Sequence, residues 1–371
     1  MITSLDSHIS SLTEDPTMTV GTLLSIAEDL LRGSIPIKEK IDGQNFTIGF
    51  NGDEFVLLMK GNEDFEKGKT EKALRDEIFK LSSIPDKRAG LLIQVKKKFL
   101  KNLSSINKKY KQSKETSFET GTILECAMLD DLTKNLLSYR TQGIVLLDSI
   151  SSADISDQHV SNVGIVLLKD SISYDIDDES IFSSLENLKG LFRDCGLTNT
   201  SMIGEYIQKE VKSILDDELI ISPYVIEDFA NRIAFKDKKL ANYRKIKSKA
   251  TWEEFKLLEK YSLVYRKASK AIDLELSSIL NKIYKESRDQ FLEPACDYTG
   301  LFSKYYYDMS NLVYDGKHSK RFNYEIEISK EIAQNSSCCA EGIVFISNDI
   351  RYKITGAFTS INKLNGFLKY N

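Results

Sequence analysis

The 371-residue chain predicts an α+β fold, an antiparallel β core interrupted by a large helical segment. Three observations carry this reading. Short runs in which apolar and polar residues alternate recur through residues 1–175. From residue 176 to about 330 the apolar spacing becomes helical and strand signals almost vanish. Strand character then returns in "AEGIVFISNDIRYKITGAF". The implied organisation is a core begun by residues 1–175, a helical insertion domain over 176–330, and strands within 331–371 that complete the core.

The elements follow in order. "TVGTLLSIAEDLLR" (19–32) has apolar residues at helical spacing and ends at Gly33, a C-terminal stop. In "IPIKEKIDGQNFTIGFNGDEFVLLMKG", Phe46, Ile48 and Phe50 alternate with polar residues. Asn51-Gly52 supplies a turn, and Phe55 to Met59 return as a second strand. Residues 70–113 are lysine-rich with a helical period. A short strand is expected around Ile123 to Ala127. Two β-branched runs, "RTQGIVLLDSI" (140–150) and "VSNVGIVLLKDSI" (160–172), suit buried strands. In the helical block, Thr251-Trp252-Glu253-Glu254 has capping-box spacing ahead of Leu257, Leu258, Tyr261 and Val264. The last two strands meet at a tight turn over Ser347 to Asp349. No internal repeat is present.

Composition narrows the function classes. Net charge is −4, so any nucleic-acid contact must be a local patch. The candidates are the run Lys96, Lys97, Lys98, Lys101, Lys108, Lys109, Lys111 and Lys114, with Phe99 and Tyr110 interleaved, and the segment 235–249. A solvated helix face is the plainer alternative for both. The five cysteines show no C-x-x-C spacing and read as reduced cytosolic thiols. Three scattered histidines argue against a zinc site. Asp175, Asp177, Asp178 and Glu179 suit a helix start better than a cation site. The N-terminus lacks a secretory pattern and no run is long enough to span a membrane, so a cytoplasmic protein without a membrane partner is expected. No G-x-x-x-x-G-K-[ST] loop occurs, which disfavours a P-loop ATPase.

The stretch "KEKIDGQNF" carries the chemistry. Lys40-Ile41-Asp42-Gly43 fits K-x-D-G. A lysine amine becomes a nucleophile when burial or neighbouring cations lower its pKa. Glycine allows the backbone to turn close to a ligand. Near the C-terminus, Arg351 and Lys353 lie two residues apart on an expected strand, which places both cations on one face.

"EKIDGQNF" resembles the nucleophile motif of the covalent nucleotidyltransferases, nearest the second phage type of RNA ligase. Other segments resemble that superfamily's motifs in its order. "LLMKGNEDF" places Lys60 where the family has arginine. "TILECAML" offers Glu125. "GIVLLDSI" offers Val145, Leu146 and Leu147, then Asp148, where the family has an adenine-stacking aromatic. "EGIVF" (341–345) resembles the E-G-x-V motif, and "IRYKI" the K-x-K motif, with Arg351 for its first lysine. The tail also resembles a group of uncharacterised tailed-phage proteins. The resemblance covers about residues 20–172 and 335–371.

It implies a ligase-type adenylation core, using ATP and Mg²⁺, acting on nucleic-acid ends, RNA more than DNA. Lys40 is the implied nucleophile. Glu39, Asp42, Gly43, Lys60 and Glu125 are implied at the nucleotide, Arg351 and Lys353 at the phosphates, and Glu341 at the metal. About eighteen residues follow Lys353, too few for an oligonucleotide-binding barrel. Two alternatives stand beside the enzyme reading: a catalytically silent phage protein that binds or joins a virion, and an enzyme that nucleotidylates proteins or small molecules. Oligomeric state is left open.

Overall fold

A computed structural model describes residues 9–15, 17–41, 43–58, 68–83, 87–113, 116–129, 139–149, 156–218, 252–292 and 340–355. These residues build a mixed α+β architecture of two open sheets and two helical layers. In chain order the elements are β1 (Ser10–Ser11), α1 (Val20–Leu31), β2 (Ile37–Lys40), β3 (Gln44–Phe50), β4 (Phe55–Leu58), α2 (Glu71–Ser82) and α3 (Lys87–Gln112). Then come β5 (Ile123–Leu129), β6 (Gly143–Ser149), α4 (Asp157–Asn162), β7 (Val166–Leu167), α5 (Asp178–Asp194) and α6 (Ile203–Glu218). α7 (Trp252–Ser287), β8 (Gly342–Ser347) and β9 (Ile350–Thr355) follow.

Sheet one runs β1-β9-β8-β2 and sheet two runs β4-β3-β5-β6-β7. Most pairings are antiparallel; β1–β9 and β6–β7 are parallel. The alternation in the sequence decides which side chains each sheet buries. On β2, Ile37 faces the first core, and so do its ladder partner Phe345 and Ile343, two residues earlier on β8. Tyr352 and Ile354 of β9 join them. This core is completed by apolar faces of α1, α5, α6 and α7. α5, α6 and α7 therefore share one core with β8 and β9. The expected boundary near residue 330 lies outside the described residues.

The second core is built from the other sheet. Phe46, Ile48 and Phe50 of β3 and Leu124, Cys126 and Met128 of β5 meet Phe99, Leu103 and Ile106 of α3. Phe50, Phe55, Tyr110 and Phe118 pack with edge or tilted geometry, ring centroids 4.9–6.1 Å apart. Buried Asn107 of α3 satisfies the backbone of Phe55 at the sheet's edge. Its amide oxygen accepts from the Phe55 N–H (2.7 Å) and its amide nitrogen donates to the Phe55 carbonyl (3.1 Å). A helix thus supplies the partner a further strand would give.

Local signals explain the ends of these elements. Thr19 caps α1 by accepting from the Thr22 N–H at 3.1 Å, and Gly33 ends the helix in the left-handed region. The β3–β4 connection spans four residues, Asn51 to Glu54. The Asn51 side chain accepts from the Asp53 and Glu54 amides and closes the loop. The β8–β9 turn carries Asn348 and Asp349 at φ 50° and 59°, the two-residue type that suits strand twist. The lysine-rich stretch 70–113 divides into two helices, α2 and α3.

One strand expectation is corrected. Residues 160–172 do not form a long strand: α4 ends at Asn162, and β7 has only two residues. Ser156 caps α4 by accepting from the His159 N–H, and Gly164 (φ 81°) reverses the chain. Val160, Val163 and Ile165 are still buried, but by a helix and a turn. A short apolar run carries the same period-free signal in either state. The capping residue expected for the later helix, Thr251, lies outside the described residues.

Among the described residues no helix is long and apolar enough to cross a membrane. Cys126 and Cys195 are free thiols; the other three cysteines lie outside the described residues.

Candidate active site

The register of sheet one brings Lys40 to its partners. Lys40 ends β2 and lies opposite Gly342, the first residue of β8. Glu341, immediately before that strand, forms an ion pair with the Lys40 ammonium across 301 residues of sequence. Both side chains are largely shielded, 20% and 11% exposed. Such a pair is held firmly, because leaving either charge alone there carries a desolvation penalty.

Gly342 is required by this closeness. A Cβ at that position would lie 2.1 Å from the Ile354 carbonyl oxygen of β9. No side chain fits between the strands there, so β9 stays tight against β8 directly beside Lys40. Gly43 answers a similar demand. A Cβ on it would meet the Met128 carbonyl oxygen at 3.0 Å and the Ala127 Cβ at 3.2 Å. The close approach at Gly43 is therefore to β5.

The remaining cations share the Lys40 face. Side chains alternate along a strand, so Lys38 and Lys40 point away from the first core that holds Ile37. In the ladder, Val344 pairs with both Lys38 and Lys353, and Arg351 sits two residues before Lys353 on β9. Arg351 and Lys353 thus belong to the face that carries Lys40. Lys38 reaches Asp170 at 3.0 Å.

Arg351 ties the two sheets together. Its guanidinium lies 3.5 Å from Glu125 of β5 and 3.7 Å from Asp148 of β6. Asp148 is aimed there by a β-bulge. Cys126 pairs with Leu146, but Glu125 pairs with Asp148, so Leu147 is the extra residue. Without it, Asp148 would follow Ile144 and Leu146 toward the second core. The bulge turns it to the face of Glu125 instead. Val145 is opposite Ala127 on that same face and is fully buried. The position expected to stack a base is thus aliphatic.

Glu39 lies on the other side of β2, 5% exposed. One carboxylate oxygen accepts from the Leu292 N–H at 2.7 Å, just beyond α7. The other oxygen is buried with no hydrogen-bond partner. Burial pushes this carboxyl up to about 8, and the nearby Glu341 charge adds to the rise. Glu39 therefore contacts the chain behind the strand, whereas the sequence placed it at the nucleotide. Asp42 and Lys60 lie outside the described residues.

Sequence reasoning missed the carboxylate pair around Arg351. Only the bulge, which no local pattern announces, turns Asp148 toward it. It also missed the burial of Glu39, although the alternation Ile37-Lys38-Glu39-Lys40 carries that signal. Among the described residues, no group of three or more His, Cys, Asp and Glu side chains could hold a metal ion. No family model, no curated protein and no solved structure matches this chain.

Proposed function

We propose that the protein is an ATP-dependent nucleotidyltransferase resembling a polynucleotide ligase, with Lys40 as its nucleophile. One observation carries the reading: a shielded lysine is held by Glu341 on a strand face that also bears Arg351 and Lys353. An amine that shares a strand face with two further cations, in a site partly closed to water, suits attack on a phosphorus whose oxygens those cations neutralise.

ATP is the substrate of the first step. The Lys40 amine attacks the α-phosphorus, an N–P bond forms, and the bond to pyrophosphate breaks. The ammonium must first lose a proton, and the Glu341 carboxylate beside it is the group in reach. Arg351 and Lys353 neutralise the phosphates, and Arg351 leaves Glu125 and Asp148 to do so. The nucleotide then passes to a 5′-phosphate end, and a 3′-hydroxyl displaces AMP. Mg²⁺ fits only as a companion of bound triphosphate. It takes one or two carboxylates and completes its shell with phosphate oxygens and water, and Glu341 is the carboxylate that would contribute.

Purified protein incubated with Mg²⁺ and α-labelled ATP, then denatured, tests this. Acid-labile label retained by the chain and absent from Lys40→Ala supports the reading. No label with ATP, GTP or NAD overturns it. Buried Val145 on the Glu125 face favours the second reading in that event, a binding protein that keeps the scaffold without the chemistry.

A further inference from the structure

We infer that the outer face of the α2–α3 hairpin is a docking surface for single-stranded nucleic acid, separate from the Lys40 site. α3 contains nine Lys and Arg residues and not one Asp or Glu. The chain's net charge is −4, so the rest of it, without these nine, is net −13. Charge is thus segregated onto one helix. The inference stands on this helix and does not depend on the nucleotidyl-transfer reading.

The geometry of α3 orders these charges. Phe99, Leu103 and Ile106 point into the second core. Lys97, Lys101, Lys108 and Lys111 fall on the opposite side and are exposed. They span fifteen residues, about 21 Å over fourteen steps at the helical rise of about 1.5 Å per residue. None of the four forms an ion pair among the described residues. Two of the three carboxylates of the neighbouring helix are engaged elsewhere: Glu77 holds Lys69 and Lys96, at 2.6 and 2.5 Å, and Glu71 accepts from Ser104 and Asn107, which leaves Asp76 as the exposed acid of α2. A row of unneutralised cations on a rigid rod matches a linear polyanion.

Two observations choose the occupant. Phe99, Leu103 and Ile106 of α3 are consumed by the core, and Leu92 is the one large apolar side chain that this helix exposes among the described residues, too little to sink into a lipid surface. On α2, Phe79 is 78% exposed and shares the outward side with Lys72 and Arg75. An exposed ring among cations offers an unpaired base a stacking surface, which a duplex cannot use. The stripe lies behind sheet two, on the face away from Glu125 and Arg351. It would grip the body of a strand at a distance from Lys40.

Fluorescence anisotropy with a labelled single-stranded 20-mer, in RNA and DNA forms and without ATP, tests the inference. The comparison ligands are a duplex of the same length and anionic phospholipid vesicles. The variant K97E/K101E/K108E/K111E, checked for an unchanged thermal transition, is expected to lose at least tenfold in single-strand affinity. The milder fourfold Lys→Gln variant is expected to reduce the slope of log affinity against log salt by about 3, from four phosphate contacts at about 0.7 each. Phe79→Ala weakens single-strand binding and leaves duplex binding unchanged. Undiminished binding by both stripe variants, or a preference for duplex or vesicles, would overturn the proposal.

Discussion

Gly342→Ala tests how tightly the nucleophile strand is held. Gly342 sits between Lys40 on β2 and Thr355 on β9. Its backbone φ is not in the left-handed region, so the cost of a side chain there is steric. The added methyl would lie 2.1 Å from the Ile354 carbonyl oxygen and 3.0 Å from the Thr355 Cα. Both are backbone atoms, which cannot rotate aside. Comfortable heavy-atom contact begins near 3.5 Å, so β8 and β9 must part by roughly 1 Å. Overpacking of this kind costs about 1–3 kcal/mol. Glu341 is the adjoining residue, so the shift moves it relative to Lys40. A displacement of about 1 Å at a reacting group can lower its rate by roughly 10²-fold. Urea denaturation reads the first effect as a lower midpoint at unchanged slope, and nucleotide labelling of Lys40 reads the second. A variant within about 0.5 kcal/mol of the parent, with undiminished labelling, would refute the argument that this ladder has no slack.

Other substitutions probe separate contacts. Glu341→Ala strands a shielded ammonium and is expected to cost about 3 kcal/mol, with most of the loss recovered in Lys40→Met/Glu341→Leu; a double-mutant cycle in urea measures the coupling. Arg351→Gln removes a partly exposed bridge between the sheets. It should cost under about 1 kcal/mol by denaturation yet reduce nucleotide labelling by about 10²-fold, because its larger role is charge neutralisation. Asn107→Ala leaves the Phe55 N–H and carbonyl without their buried partner, and a loss of about 2–3 kcal/mol is expected in the same assay. Glu39 is protonated in the folded chain up to about 8, against about 4.5 when unfolded. Its contribution is therefore complete below about pH 4.5 and is lost as pH rises toward 8, on the order of a few kcal/mol. Glu39→Gln keeps an acceptor for Leu292, so its stability should fall less across that window; an identical pH profile would count against a protonated Glu39.

Local pattern made several elements legible. Phe46, Ile48 and Phe50 announce β3 by alternation, and Gly33 announces the end of α1. The β8–β9 hairpin is readable from the tight turn expected over Ser347 to Asp349, where Asn348 and Asp349 take left-handed backbone. Long-range pairing was less accessible. Nothing near Lys40 shows that its ladder partner is Gly342, since that choice depends on the register of two distant segments. The order of Lys40, Glu341, Arg351 and Lys353 along the chain suggested one site. The division into two sheets did not follow, because alternation reports which face is buried and not against which layer. The run at 160–172 misled for the opposite reason. Its valines and isoleucines are buried, but a helix cap at Ser156 and a reversal at Gly164 bury them without a strand.

The strand order β1-β9-β8-β2 has a consequence for synthesis. The two middle strands are made last, and the two outer ones are made first. While a ribosome works through the intervening residues, β1 and β2 have no neighbour to pair with in this sheet. Their final partners are Tyr352 and Lys353 for one, and residues 342–345 for the other. Lys40 therefore leaves the ribosome long before Glu341 exists. A chain cut short anywhere before residue 341 carries the lysine without the carboxylate that holds it. The pairing of these two residues thus reports that translation has passed residue 341, and only a product that extends beyond it can present the assembled site.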